Sequence, residues 1–227
     1  MDRLADNYFN LAILARYYPA ILDGFLVTCV VAALVTVVGI AFGLLLAVLR
    51  ALGNRMLDAV IVVWIDIFRT LPQLVVIVIV YFALPYADIT LSPFAATVLA
   101  LGAVLSAFAA EIFTAAIRAV PQGQSDAARA LGLGFLPTLF LVALPQAIRI
   151  AIPLLTNRTI AIIKGTALGA AVSLPEILGS AQSAMAIAAN PSPLTLAAAL
   201  YLLLFIPLVI ASRAIERRFT QRSRGSA

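Results

Sequence analysis

The sequence contains no histidine and a single cysteine, Cys29, among its 227 residues. Without histidine, the commonest general base and the commonest metal ligand are both missing. One cysteine cannot build a disulfide framework, and zinc or haem sites lose their usual donors. Cys29 lies in an apolar run and reads as a small packing residue. There is no Gly-Lys-Ser/Thr phosphate loop and no cluster of metal ligands, so no metal site is expected. Enzymes built on those parts are excluded, intramembrane proteolysis among them, and no catalytic residue is assigned. Charge is also scarce. Only 11% of residues are charged, against about 25% in soluble domains.

What is present is apolar: 64% of residues are hydrophobic and the mean hydropathy is +1.12. Too little polar surface exists to cover such a core, so the solvent is lipid. The net charge of +5 does not indicate nucleic acid, because five of the fifteen basic residues crowd between Arg213 and Arg224 with a single aromatic, Phe219, among them. Such a cluster is expected beside a membrane.

A spanning helix needs roughly 20 mostly apolar residues. Five segments qualify, at about residues 24–49, 58–84, 92–118, 137–160 and 194–212. The expected fold is an all-α integral membrane protein. Residues 1–23 form an amphipathic surface segment, 24–212 the transmembrane domain with a loop at 119–136, and 213–227 a basic tail. The first span is too long for a signal-peptide apolar region and is read as retained.

Lys and Arg set the orientation. With the N-terminus outside, the inner segments hold Arg50, Arg55, Arg118, Arg129, Arg213, Arg217, Arg218, Arg222 and Arg224, and the outer loops hold Arg3 and Arg16, with Arg158 and Lys164 near the outer end of the fourth span. The loop at 119–136 and the C-terminus are therefore expected in the cytoplasm. No internal repeat is found, inverted or parallel, although many secondary carriers are built from such repeats. Five helices in one copy read as half of a dimer.

Residues 161–193 are broken by Gly, Pro and polar residues. They read either as an outer loop with a short surface helix over SLPEILGSAQSAMA, or as a gate or cavity lining. Irregular backbone at membrane depth is tolerated only when buried in protein or facing a wet cavity.

Four ionisable residues fall inside the spans: Asp66, Arg69, Glu111 and Arg149. Each costs about 2.5 to 3.5 kcal/mol at the bilayer centre on insertion scales, so each is paired or wet. One reading is structural salt bridges, with Glu111 to Arg149 preferred and Asp66 neutralising Arg69 three residues on. The other is a pathway for a charged or zwitterionic solute, lined by these residues with Gln73, Lys164 and Thr166. RTLPQ, residues 69–73, disfavours regular helix just before Pro72.

The loop PQGQSDAARALGLG has the marks of a short ordered helix. Ser125 is a candidate N-cap with Asp126 in the first turn, and Gly132 or Gly134 can end the helix. A rigid helix presented to the cytoplasm is a docking element.

Here the chain resembles the inner-membrane permease subunits of ABC importers. Their cytoplasmic loop runs Glu-Ala-Ala, three residues, Gly, nine residues, then Ile-x-Leu-Pro. Asp126-Ala127-Ala128, Gly132 and Val142-Ala143-Leu144-Pro145 keep that spacing, with Asp for Glu and Val for Ile. FRTLPQLVVIVIVYFALP, AAEIFTAAIRAVPQGQSDAARALG and LPQAIRIAIPLLTNRTIAIIKGTAL look like the polar amino-acid branch, which serves histidine, glutamate, glutamine, arginine and opines. These stretches cover most of residues 64–170.

The resemblance implies a type I importer permease fold in a bacterial inner membrane. It implies that Asp126, Ala127, Ala128, Leu131 and Gly132 couple the chain to a cytoplasmic ATPase dimer. The implied partners are those ATPases, which bind the ATP and Mg so that this chain carries no cofactor, a second permease subunit, the same or homologous, and an extracytoplasmic solute-binding protein. A small residue at 132 would let the helix approach its groove closely. Departures from the branch pattern are Gly165 where an Asp usually follows the Lys, apolar Val104 and Leu105 where polar residues usually stand, and FRTLP for FRGTP. They point to the non-binding half of a heterodimer or to another solute, such as an opine-like derivative. The rivals are an ion-coupled secondary carrier without an ATPase, for which Glu111 is the acid to titrate, and a membrane scaffold without transport.

Overall fold

A computed structural model of the chain describes residues 2–224. Met1 and residues 225–227, the end of the expected basic tail, lie outside the described residues. Among the described residues every regular element is helical. The α-helices are α1 (Asp2–Tyr8), α2 (Leu11–Ala51), α3 (Arg55–Thr70), α4 (Gln73–Phe82), α5 (Pro93–Ala119), α6 (Gln122–Ala130), α7 (Phe135–Thr138), α8 (Leu144–Ile163), α9 (Ile177–Ala188) and α10 (Ser192–Arg224). Four helical stretches are long and apolar enough to cross a membrane, and a fifth arises if α3 and α4, bent by 108°, count as one span.

The first span begins earlier than expected. α2 runs unbroken through residues 23 and 24, so residues 11–23 are its first turns and not a separate surface segment. Its start is fixed by Asn10, whose side chain accepts a hydrogen bond from the Ile13 N–H at 3.2 Å. That bond satisfies one of the donors a helix start leaves unpaired. Asn54 caps α3 and Ser92 caps α5 in the same way. The Arg50 guanidinium meets Asp58 at 2.6 Å across the α2–α3 turn.

α5 is the hub. Residues 104–107 are all buried, so every side of the helix is covered at that level. α2 lies along it with little gap. A Cβ at Gly39 would stand 2.6 Å from the Leu105 side chain, and one at Gly43 would stand 2.5 Å from the Ala109 Cβ and 2.7 Å from the Ser106 carbonyl. Glycines four apart let two helix backbones close up where lipid offers no hydrophobic drive to pair them. The main core joins Val31 and Val35 of α2, Ile77 of α4, Leu101 and Leu105 of α5, and Ile162 of α8.

Between α7 and α8 the backbone widens into a π turn, Leu139–Ala143, with Leu144 N–H bonded to the Leu139 carbonyl. Pro145 sits in the first turn of α8 and has no N–H to donate back along the helix. The wide turn accommodates that missing bond.

Residues 161–193 do not form an outer surface loop. A 3-10 segment, Lys164–Val172, follows α8 and buries Gly165, Thr166, Gly169 and Val172. α9 then buries Ile177, Ala181 and Ala184. The segment folds back among α2, α4, α5 and α10. Its glycines and alanines leave the backbone slim enough to be enclosed, which is the condition for irregular chain at this depth.

Candidate functional site

The loop at 119–136 contains one ordered helix, α6. It starts at Pro121, four residues before Ser125, so Ser125 is an interior residue and not the cap. Proline presets the backbone angle for a helix start. α6 ends at Leu131, and Gly132 follows with φ +87. A residue with a Cβ is strained there, which is why glycine closes this helix. Ala128 is buried against the body, whereas Asp126, Ala127 and Gly132 are exposed and Leu131 is 85% exposed. The exposed leucine thus stands beside an exposed acid and the glycine turn, on one short helix.

The charged residues inside the spans come together differently from the expectation. Glu111 of α5 pairs with Arg69 of α3 at 2.5 Å, not with Arg149. α3 packs on α5, which puts Arg69 beside Glu111. No ion pair joins Arg149 or Asp66 to a partner among the described residues, so Asp66 does not neutralise Arg69. Asp66 and Arg149 are both exposed. Arg158, expected near the outer end of the fourth span and found within α8, belongs to this group. Its guanidinium lies over the Phe108 ring at 4.2 Å, and Arg69 approaches the same ring at 5.4 Å. Guanidinium groups stack favourably on ring faces. Two cations and one anion around Phe108 leave one positive charge in excess, half open to solvent or solute.

Two backbone breaks meet beside this cluster. Leu71 ends α3 with extended backbone (ψ 136) and Pro72 precedes α4. The 3-10 segment Lys164–Val172 packs against α4. Gln73, the first residue of α4, lays its side-chain oxygen over Gly165, where any Cβ would overlap it. Lys164 is exposed, with its ammonium 5.7 Å from the Phe205 ring. Thr166 is fully buried and its hydroxyl has no partner among the described residues. Of the seven pathway candidates, the structure brings together Arg69 with Glu111, and Gln73 with the Lys164–Thr166 segment. It leaves Asp66 and Arg149 apart.

Glu176 was not singled out from the sequence. It is 0% exposed and caps α9 by accepting the Gly179 N–H at 2.8 Å. Tyr201 of α10 donates to it as well. Thr28 of α2 accepts from the Ile177 N–H at 3.2 Å and donates to the Gly24 carbonyl at 2.9 Å. The one available signal was Glu176 followed three residues on by a small residue, which is an N-cap pattern hidden in a segment read as a loop.

Comparisons with known proteins agree on one lineage. Residues 39–221 match the family described as binding-protein-dependent transport system inner membrane component. The probable glutamine ABC transporter permease protein GlnP of Bacillus subtilis is 36% identical over 202 residues, covering 87% of this chain and 93% of the relative. The glutamine transport system permease protein GlnP of Escherichia coli K12 is 32% identical, covering 88% and 93%. Among solved structures, an amino acid ABC transporter crystallised with histidines superposes with a TM-score of 0.81 at 28% identity, covering 90% of this chain and 96% of that one. With the exposed α6 motif and the bent-span helical fold, these likenesses establish that the chain belongs to the binding-protein-dependent transport inner membrane family, the permease subunits of ABC importers.

Proposed function

We infer that this chain is the membrane permease subunit of an ATP-binding-cassette importer for amino acids or related polar solutes. The observation that carries the reading is α6, an ordered helix that seats Ala128 on the body and exposes Asp126, Ala127 and the Leu131–Gly132 turn, in a chain matched to the permease family over residues 39–221. The ion-coupled carrier weighed from the sequence is set aside by that match and by the amino-acid permease relatives. The protein is a multi-pass inner-membrane protein and serves transport, not catalysis.

Asp126, Ala127, Leu131 and Gly132, with Ala128 seating the helix on the body, dock in a groove of a separate ATPase, which binds ATP and Mg. Closure of two such ATPases drives two permease subunits, identical or homologous, between inward and outward states. A solute-binding protein delivers from the outer side, where the N-terminus lies, and the basic C-terminal end of α10 is cytoplasmic, as the Lys and Arg distribution supports. Arg69, Glu111 and Arg158 around Phe108 suit a solute carrying a carboxylate, since one positive charge is left over. Gln73, Lys164 and Thr166 form the neighbouring wall. Asp66 and Arg149, both exposed and without an ion pair among the described residues, face the same pathway or the second subunit.

Mild-detergent purification from the native membrane, followed by mass spectrometry, tests the assembly. A stoichiometric ATPase subunit is the expected companion, and a second permease species marks a heterodimer. A chain that comes alone in repeated preparations overturns the reading.

A further inference from the structure

Two apolar cavities adjoin between α2 and α10, with α8 as their floor. Their volumes are about 450 and 420 Å³, and they share Thr36, Ile163 and Leu208. Each is in the size range of a small-molecule site, yet the lining is apolar but for threonines and Cys29, and of the threonine hydroxyls only that of Thr159 lacks a partner among the described residues. The Thr36 and Thr156 hydroxyls donate to their own helices, to the Ala32 carbonyl at 2.7 Å and the Ile152 carbonyl at 2.8 Å. They therefore turn methyl groups to the crevice.

The α10 wall is a stripe, Leu204, Leu208, Ala211 and Ile215. Steps of four, three and four residues keep it on one helix face. From Leu204 to Ile215 the stripe rises roughly 16 Å, about half of a ~30 Å hydrocarbon core and so the depth of one leaflet. Three residues on, the same face carries Arg218, with Arg213 and Arg217 nearby and a single acid, Glu216, in that stretch. All three arginines are exposed. An apolar slot one leaflet deep, ending in cations, has the shape and charge of an anionic phospholipid.

We propose that this crevice holds an acyl chain of an anionic phospholipid of the inner leaflet, with its phosphate on Arg217 and Arg218. Basic groups at the cytoplasmic edge of a helix pair attract anionic headgroups. The acyl chain enters from equally apolar bilayer, so packing shape holds it in the slot and the cations select its headgroup. The lipid fills the space between α2 and α10 and so sets how closely those two helices stand. The site rests on the cytoplasmic placement of the α10 end, which a C-terminal tag, reached by antibody only after permeabilisation, tests separately.

The test is native mass spectrometry of the purified importer assembly, offered equal phosphatidylglycerol and phosphatidylcholine. Wild type is expected to retain phosphatidylglycerol at least threefold over phosphatidylcholine. Replacing both Arg217→Gln and Arg218→Gln should abolish that preference. Ala211→Phe, which fills the slot, should lower retention of both lipids. If Ala211→Phe does not assemble, the arginine pair still decides. Equal retention of the two lipids by wild type, or an unchanged preference in the arginine variant, overturns the proposal. So does disulfide cross-linking of Ala211→Cys between permease copies in native membranes, because protein would then cover the crevice.

Discussion

The Tyr201 hydroxyl on α10 donates to the Glu176 carboxylate at the head of α9, 2.5 Å away. With Thr28 at the same point, three helices converge on one buried acid. Removing one partner of a buried hydrogen bond leaves the other unsatisfied, at a cost of about 1–3 kcal/mol. Tyr201→Phe should therefore lower stability by about 2 kcal/mol, read as a fall in the thermal midpoint in lipid nanodiscs. An unchanged midpoint would show that the bond holds nothing.

The α2–α5 seam gives a sharper expectation. Gly43→Val puts branched bulk where even a Cβ would be 2.5 Å from that of Ala109. Overpacking of this kind costs about 1–3 kcal/mol. Gly102→Ala is the matched control, since its nearest neighbour, Val38, would be 3.4 Å away. The first should cut the yield of folded protein and the second should not. Equal yields would sink the close-approach account.

Gly132 separates folding from coupling. Nothing lies within 4 Å of the space a Cβ would take, but φ is +87. Gly132→Ala pays about 1–2 kcal/mol of local strain and should keep measurable uptake. Gly132→Arg should abolish solute-stimulated ATPase activity and uptake while the spans keep their thermal midpoint. Undiminished uptake in the arginine variant counts against docking through this turn.

The Arg69–Glu111 pair is half exposed, at 36% and 47%, and such a pair stabilises by about 0–1 kcal/mol. Glu111→Gln should barely move the thermal midpoint. Uptake should drop at least tenfold, because Arg69 and Arg158 are left without their acid in the pathway. Parallel loss of stability and uptake would make the pair structural instead.

At Gly165 the branch pattern has an aspartate, and here Gln73 occupies its space. Gly165→Asp alone should impair folding. Combined with Gln73→Ala it should recover at least half the wild-type yield, a coupling expected of residues in contact. A double variant no better than the single would mean that the two positions do not share that space.

The spans and the α6 element were legible because lipid demands long apolar runs and because glycine and proline punctuate a polar loop. The break before Pro72 was legible for the same local reason. Glu111's partner was not. Depth counting gives each charge a height but no neighbour, so Arg149 was preferred for Glu111 and Arg69 was given to Asp66, whereas α3 packs on α5. Arg158 was placed correctly near the outer end of the fourth span, but its stacking on Phe108 was not legible, because sequence gives a height and no neighbour. Glu176 escaped because a broken, small-residue segment looks the same in sequence whether it lies outside or folds back into the core. The start of α2 was missed because amphipathic residues near a terminus read as surface, while the cap that begins the helix, Asn10, is a single residue.

Between Asp23 and Arg50, α2 carries no charged residue. That stretch of 26 residues is roughly 39 Å long at 1.5 Å per residue. The hydrocarbon core is about 30 Å thick. Upright, the helix would push some 9 Å of apolar surface into the headgroups. A span this long tilts, or thickens the bilayer around it. A thicker bilayer would right this helix and a thinner one would lay it flatter. Because α2 crosses α5, α9 and α10 on its way, bilayer thickness becomes a mechanical input to the whole subunit.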